Sequence, residues 1–183
     1  MTLIPIVLDF WFHEAGPDRW FHPPVEFDDI VLRRFLKLQE QAAAGSLHDW
    51  EESAQGSLAL CILLDQFPRN MFRGTARSFA TDAEAKRVAA RSISRGFDTE
   101  DGMTDNHRLF FYLPFEHSED IDDQNRACKL IATLTSTPDY AKWAEAHRAI
   151  IERFGRFPHR NDALGRRSTP EEEEFLGKEG SSF

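Results

Sequence analysis

The sequence predicts an all-α protein that folds as a single domain over residues 1–176, followed by a frayed tail at 177–183. Three observations predict this fold class. Apolar residues recur every three or four positions along most of the chain, residues typical of helix starts and ends separate these stretches, and no alternating apolar run typical of a β-strand is found. A length of 183 residues fits one domain with one hydrophobic core.

The first two helices are separated by a segment rich in glycine and proline. A short helix is predicted to begin at Pro5, because proline suits the first turn of a helix. The segment 13–27 contains Gly16 and three prolines and is predicted to be an ordered loop without regular structure. From Asp28 an amphipathic pattern predicts a long helix that ends at Gly45, where a left-handed cap is expected.

The most apolar stretch of the chain runs from Leu58 to Leu64. Because it is apolar on nearly every face, it predicts the central buried helix of the fold. This helix is predicted to end near Pro68, since proline lacks the amide hydrogen that a helix needs and disfavours the helical conformation for the residue before it.

Capping residues define the helices in the middle of the chain. Thr81 and Glu84 have the spacing of a capping box, in which both side chains bind backbone amides, and Gly96 follows the end of that helix. Thr104 begins the next helix, which is predicted to end just before Pro114.

Three more helix starts are predicted towards the C-terminus. Ser118 is expected to cap one helix, Thr137 precedes the last long helix, which ends at Gly155, and Thr169 precedes a short final helix. The acidic run 171–174 is expected to be a solvated first turn. The last long helix carries one stripe of large side chains, namely Tyr140, Trp143, His147, Ile150 and Phe154.

Composition and charge exclude several kinds of partner. A formal net charge of -9 and the absence of a dense basic run argue against nucleic acid. The longest purely apolar run is far shorter than the roughly 20 residues that cross a bilayer, and the N-terminus has no basic leader. Cys61 and Cys128 lie in apolar helical stretches, as free thiols of a reducing compartment do. We therefore expect a cytoplasmic protein without membrane contact.

The sequence contains no motif for a metal or a cofactor. The seven histidines and two cysteines lack the spacings of metal sites. Neither a glycine-rich phosphate loop nor the serine motif of hydrolases occurs. We therefore expect neither a metal nor a cofactor.

The strongest candidate site follows the central helix. Asp65 lies on the apolar stripe of this helix, and a buried carboxylate needs a cation or several hydrogen-bond donors. Arg69 and Arg73 are the nearest cations along the chain, and Asn70 lies between them. One interpretation is an anion pocket in which Asp65 orients guanidiniums that suit a carboxylate or a phosphate. The other is that Asp65 and Arg69 only fasten the helix end to the core.

A segment of similar composition closes the last long helix. Phe157 and Pro158 are followed there by His159, Arg160 and Asn161, just as the earlier Phe-Pro pair is followed by Arg and Asn. If the two helix ends meet, they form a polar cleft. The alternative is that proline and asparagine are ordinary loop residues after a helix.

Two histidines each have a structural and a functional interpretation. His147 occupies the stripe of the last long helix, where a histidine is either a core residue or a catalytic or ligand-binding group. His117 precedes Ser118 and Glu119, which puts an imidazole and a carboxylate near a helix start, where an anion is also stabilised. The alternative is that Ser118 and Glu119 only cap that helix.

The polar motifs resemble those of one bacterial family. They are Leu63 to Gly74, Ala80-Thr81-Asp82, Tyr112 to Phe115, His117-Ser118-Glu119 and Arg153 to Asn161. Together they resemble domain-of-unknown-function family 924, from about Pro5 to Leu176. The resemblance implies an all-α fold similar to tetratricopeptide-repeat arrays, built from antiparallel helix pairs, and it implies no catalytic residues. Glu116 departs from the apolar residue that the resemblance leads us to expect.

Three hypotheses for the function remain open. The first is a binding module whose polar pocket takes a small anion or an acidic peptide end. The second is a hydrolase of a small substrate that uses Asp65 and a histidine as an acid–base pair. The third is a scaffold that binds proteins through another face. The candidate residues for the pocket are Asp65, Arg69, Asn70, Arg73, His117, Glu119, His147, His159, Arg160 and Asn161.

Overall fold

The computed structural model describes residues 3–21 and 23–178. Every regular element within these ranges is helical, so the predicted all-α fold class is confirmed. None of the helices in these ranges combines the length and the apolar character needed to cross a membrane. Of the tail predicted at 177–183, residues 179–183 lie outside the described residues.

The helices follow one another with short connections. The α-helices are α1 (Ile4–Asp9), α2 (Pro17–Trp20), α3 (Val25–Ala43), α4 (Ala54–Cys61), α5 (Phe67–Met71), α6 (Asp82–Ser94), α7 (Asp105–Glu116), α8 (Ile121–Ile131), α9 (Asp139–Phe154) and α10 (Pro170–Leu176). π-Helical turns extend α1 and α4, at Phe10–Ala15 and Ile62–Gln66. Short 3₁₀ turns occupy His48–Glu52, Ala76–Phe79, Phe97–Thr99 and Pro158–Arg160.

The segment 13–27 is more regular than the sequence indicated. α1 continues into its π-helical turn as far as Ala15, α2 follows, and α3 begins at Val25, so the prediction of an irregular loop is wrong. Pro17 is the first residue of α2, where proline suits a helix start, and Pro24 precedes α3 in an extended conformation. The indole of the buried Trp20 donates to the Trp11 carbonyl oxygen at 2.9 Å, which holds α2 against the π-helical turn.

The helix that carries Asp65 does not end at Pro68. α4, its π-helical turn and α5 form one unbroken helical segment through the proline, so the predicted end is wrong. A proline inside a helix leaves the carbonyl four residues earlier without its usual amide donor. Here that carbonyl belongs to Leu64, and the Thr81 hydroxyl donates to it at 2.5 Å. Thr81 therefore does not form the predicted capping box with Glu84.

The turn between α7 and α8 also differs from the prediction. α7 runs through Pro114 and ends at Glu116 instead of ending before the proline. The residue that caps α8 is Asp120, whose side chain accepts from a backbone amide of the first turn. The predicted cap, Ser118, instead donates its hydroxyl to Asp123 at 2.6 Å.

The core surrounds α4. Leu58 to Leu64 are at most 3% exposed, as predicted for the central helix. α4 packs against α1, α6 and α7, and the helices from α6 to α9 each pack against the next along the chain. Gly45 has a φ angle of 73°, which confirms the predicted left-handed cap, and α9 ends at Gly155 as predicted, with a φ angle of 67°. The similarity to tetratricopeptide-repeat arrays stays a prediction.

The last two helices bury different residues from those the sequence indicated. On α9 the side chain of Trp143 is exposed, and Ala144 takes its place in the core. On α10 the acidic first turn is not wholly solvated, because Glu172 is buried and accepts from the Arg156 guanidinium at 2.6 and 2.7 Å. This pair joins α10 to the turn after α9.

Candidate functional site

Asp65 lies in the π-helical turn after α4 and is 1% exposed. His117 Nδ1 lies 2.8 and 3.0 Å from its two carboxylate oxygens, Arg69 Nη1 lies 3.1 Å from Oδ1, and Gln66 Nε2 donates to Oδ2 at 2.5 Å. Burial opposes ionisation, but the charge of Arg69 and the contact with His117 hold the pKa of Asp65 well below its usual range. Asp65 is therefore an ionised carboxylate shielded from water.

His117, in the turn after α7, is fixed in one tautomer. An ionised carboxylate only accepts hydrogen bonds, so His117 Nδ1 carries a proton and donates it to Asp65. His117 Nε2 then holds a lone pair and is able to accept a proton. Burial and the charge of Arg69 lower the pKa of the imidazole, so the ring is neutral at neutral pH. Its side chain is 15% exposed, which puts it at the solvent edge of the site.

The two helix ends with a Phe-Pro pair meet at Asp82, the first residue of α6. Arg69 donates to both Asp82 oxygens at 3.0 and 3.1 Å, and Arg160 Nη1 lies 3.3 Å from Oδ2. The Phe79 ring lies beside both guanidiniums, with its centroid 5.9 Å from Cζ of Arg69 and 4.6 Å from Cζ of Arg160. The two segments therefore line one polar region.

Arg73 and Asn70 belong to a different contact. The Arg73 guanidinium donates to Asp28 on α3 at 2.7 and 2.9 Å, and the Asn70 amide donates to the same carboxylate at 2.8 Å. The prediction that Arg73 is a partner of Asp65 is therefore wrong. These contacts fasten α5 to α3, and the Arg73 side chain is exposed.

Glu119 and Asn161 support the turn that carries Arg160. Glu119 accepts from the Phe157 amide at 2.8 Å and binds the Arg166 guanidinium through both oxygens, at 2.7 and 2.9 Å. Asn161 is buried and accepts from Arg166 Nε at 3.0 Å. These contacts fasten the turn before α8 to the turn that carries Arg160, and a direct role of Glu119 or Asn161 in ligand binding stays a prediction.

A second carboxyl–imidazole pair lies beside the first. His147 Nδ1 lies 2.8 Å from the Trp143 carbonyl oxygen and 3.1 Å from Glu116 Oε1. A carbonyl oxygen only accepts, so His147 Nδ1 carries the proton. Burial lowers the pKa of His147 to about 3. Burial, together with the charge of Asp65, raises the pKa of Glu116 to about 8, so both members of this pair are uncharged at neutral pH.

The site contains three neutral imidazoles. The ring centroids of His117 and His147 are 6.4 Å apart, and the Phe157 ring lies 5.7 Å from that of His147 and 5.5 Å from that of His159. Burial and the charge of Arg160 lower the pKa of His159 to about 4. Within the described ranges, no group of three or more His, Cys, Asp or Glu side chains is arranged to hold a metal ion. The arrangement suits proton transfer between a neutral imidazole and a substrate.

Three residues of this site, Glu116, Asp82 and Phe79, were not among those predicted from the sequence. Glu116 carries the same signal as Asp65, an acid within an apolar stretch, and this signal was sufficient to find it. Asp82 was named only within the Ala80-Thr81-Asp82 motif of the family resemblance and was given no role. Phe79 has no distinguishing sequence signal, because its role depends on two arginines from distant segments.

A surface cleft of about 610 Å³ lies between α8 and α9 and is lined by other residues. Cys128 is one of them, and burial raises the pKa of its thiol to about 11. Burial also raises the pKa of the Cys61 thiol. Neither thiol is therefore ionised at neutral pH, which agrees with the prediction that both cysteines behave as small apolar residues.

Comparisons with known proteins support the fold. Residues 7–180 match the family described as bacterial protein of unknown function (DUF924). The structure is similar to that of a protein of unknown function, ATU0120, from Agrobacterium tumefaciens, with a TM-score of 0.89. The two sequences are 49% identical, and the similarity covers 95% of this chain and 96% of the other. No curated protein matches the chain.

Proposed function

This chain belongs to the bacterial DUF924 family, and we propose that it is an enzyme that hydrolyses a small polar substrate by acid–base catalysis. The proposal rests on the 2.8 Å contact between His117 Nδ1 and the Asp65 carboxylate. This contact fixes the imidazole tautomer and leaves Nε2 as a proton acceptor. A general base needs a free lone pair, and the fixed tautomer keeps this lone pair at Nε2.

Each charged or titratable group has a distinct role in this proposal. His117 Nε2 takes a proton from the attacking water molecule. Asp65 orients the imidazole and stabilises the positive charge that the ring acquires. Arg69 supplies positive charge beside this pair, which stabilises the negative charge that develops on the substrate.

Turnover of a small ester tests the proposal. We expect the protein to hydrolyse p-nitrophenyl acetate and His117→Ala to lower the rate by roughly 10²- to 10⁴-fold, which is the contribution of a general base. The matched control is His13→Ala, because His13 Nδ1 lies 3.1 Å from Asp9 in an exposed pair of the same type. Equal rates for the wild type and His117→Ala would remove His117 from the reaction.

A binding module for small anions is the second candidate. It is favoured by Arg160, whose side chain is 7% exposed and makes a single hydrogen bond to the part of the chain that the structure describes. The His117→Ala variant distinguishes the binding module from the hydrolase. A binding module retains its ligand after His117→Ala and shows no turnover that depends on His117.

A further inference from the structure

Arg160 is a buried cation packed against two aromatic rings. Its Cζ lies 4.6 Å from the centroid of Phe79 and 4.5 Å from that of Phe157. The 3₁₀ turn after α9 carries it towards Asp82. Burial and the charge of Arg69 lower its pKa to about 10, so it stays positively charged at neutral pH.

The Arg160 side chain has more hydrogen-bond donors than the described residues around it have free acceptors. Among the described residues it bonds only to Asp82, from Nη1 at 3.3 Å, and Asp82 already binds Arg69 through both oxygens. Its Nε is buried and has no acceptor in those ranges. Glu119 is bound through both oxygens to Arg166. Because a buried charged group needs its hydrogen bonds satisfied, the described residues leave Arg160 short of acceptors.

We propose that Arg160 binds a carboxylate group of the substrate, so that the enzyme acts on a small monocarboxylic acid. This inference rests on the proposed function and names its substrate class. Nε and Nη2 bond to no acceptor among the described residues and lie on one edge of the planar guanidinium, and this edge matches the two oxygens of a carboxylate. A continuous chain of contacts joins Arg160 to the acid–base pair, namely Asp82, Arg69, Asp65 and His117.

The surrounding charges favour a ligand with one negative charge. Asp65 and Asp82 already balance the charges of Arg69 and Arg160, so the region needs acceptor atoms more than it needs negative charge. A carboxylate supplies two acceptors with a single charge, whereas a phosphate dianion brings a second charge close to both aspartates. The side chains of Arg69 and Asp82 are 21% and 18% exposed, so the polar region around Asp82 reaches the protein surface.

Benzoate and benzamide form a matched pair of probes, because they have the same shape and differ in charge. We expect benzoate to raise the melting temperature by roughly 3 to 6 °C at about ten times its Kd. Benzamide should leave the melting temperature unchanged, and inorganic phosphate should raise it less than benzoate does. Stabilisation by benzamide or phosphate that equals the effect of benzoate would overturn the assignment of a carboxylate.

Substitutions link the benzoate effect to Arg160. Arg160→Lys keeps the charge but loses the planar fork, and Arg160→Gln loses both, so we expect each to weaken benzoate binding by about tenfold or more. The control is Arg153→Gln, because Arg153 also packs on an aromatic ring, that of Phe154 at 4.6 Å, and binds Glu171. Wild-type affinity in Arg160→Gln would exclude Arg160 as the carboxylate site.

An NMR measurement on the wild-type protein tests whether benzoate binds at Arg160, even if both variants fail to fold. We expect benzoate to shift the side-chain ¹⁵Nε signal of Arg160, and an unchanged signal would overturn the inference. Ester turnover that depends on His117, without benzoate binding, overturns this inference and leaves the proposed function intact. Benzoate binding without such turnover supports Arg160 as a carboxylate site, and it contradicts both acid–base catalysis and the assignment of the carboxylate to a substrate.

Discussion

Asp65 and Glu116 illustrate how the surroundings of a buried carboxyl group decide its charge. Asp65 has His117, Arg69 and Gln66 around it, and these donors keep it ionised. Glu116 contacts His147 Nδ1, which also donates to a backbone carbonyl, and burial keeps Glu116 protonated at neutral pH. One cluster therefore holds two carboxyl groups in opposite protonation states, an arrangement typical of acid–base sites.

Glu116→Gln tests the protonation state of this carboxyl group. The pKa of Glu116 in the folded protein, about 8, lies above the value of about 4.3 for an unfolded chain. A raised folded-state pKa gives stability that is complete below the unfolded pKa and is lost as pH rises through the folded pKa. Between about pH 4 and 8 we expect wild-type stability in urea to fall, relative to Glu116→Gln, by on the order of 3 to 5 kcal/mol.

The control for this experiment is Glu145→Gln, because Glu145 is an exposed acid on α9. Its stability should follow the wild-type pH dependence. If the free energies of unfolding of the wild type and Glu116→Gln change in parallel with pH, Glu116 is already ionised in the folded protein.

The segment from α4 to α5 shows why the end of a helix is hard to predict from local sequence. The rule that proline ends a helix describes the loss of one amide donor and a steric clash. In this fold a π-helical turn precedes Pro68, and Thr81 replaces the missing donor to the Leu64 carbonyl. That donor comes from a residue 17 positions away, so the sequence around the proline does not contain the information.

Thr81→Val tests the importance of this replacement. Valine has nearly the shape of threonine without the hydroxyl, so the buried Leu64 carbonyl loses its donor. We expect a loss of about 1 to 3 kcal/mol of unfolding free energy in urea, the usual cost of an unsatisfied buried group.

Thr75→Val is the matched control for this change. The Thr75 hydroxyl donates to the Phe72 carbonyl at 2.7 Å in an exposed turn, so we expect a loss within about 0.5 kcal/mol. Equal losses in the two variants would show that the contact of Thr81 contributes no more than an ordinary surface hydrogen bond.

In the molecule as a whole, helix caps that act within one turn were predictable from the sequence, whereas side-chain contacts between distant residues were not. The capping residues Thr104 and Thr169 and the glycine at position 155 act within one turn of their helices, and the structure confirms all three. Ser118 follows the same rules, but its hydroxyl bonds to Asp123 on α8.

The candidate site is built from such contacts between distant side chains. The sequence indicated that Asp65 needs a cation, but Arg69 and Arg73 were equivalent by sequence until helix packing placed Arg73 beside Asp28. The contact between Asp65 and His117 joins residues 52 positions apart. The sequence therefore supplied most of the chemical groups of the site, whereas the packing of α4, α7 and α9 decided how they pair.

The tautomer of His117 reveals whether the Asp65–His117 pair exists in solution, because the tautomer is fixed only if the packed helices bring an ionised Asp65 to Nδ1. Long-range ¹H–¹⁵N spectra of the wild-type protein at neutral pH distinguish the two neutral rings and the charged ring. We expect a neutral ring with the proton on Nδ1 and a pKa below the ordinary 6.5. A proton on Nε2, or a ring that is already charged at neutral pH, would contradict the account.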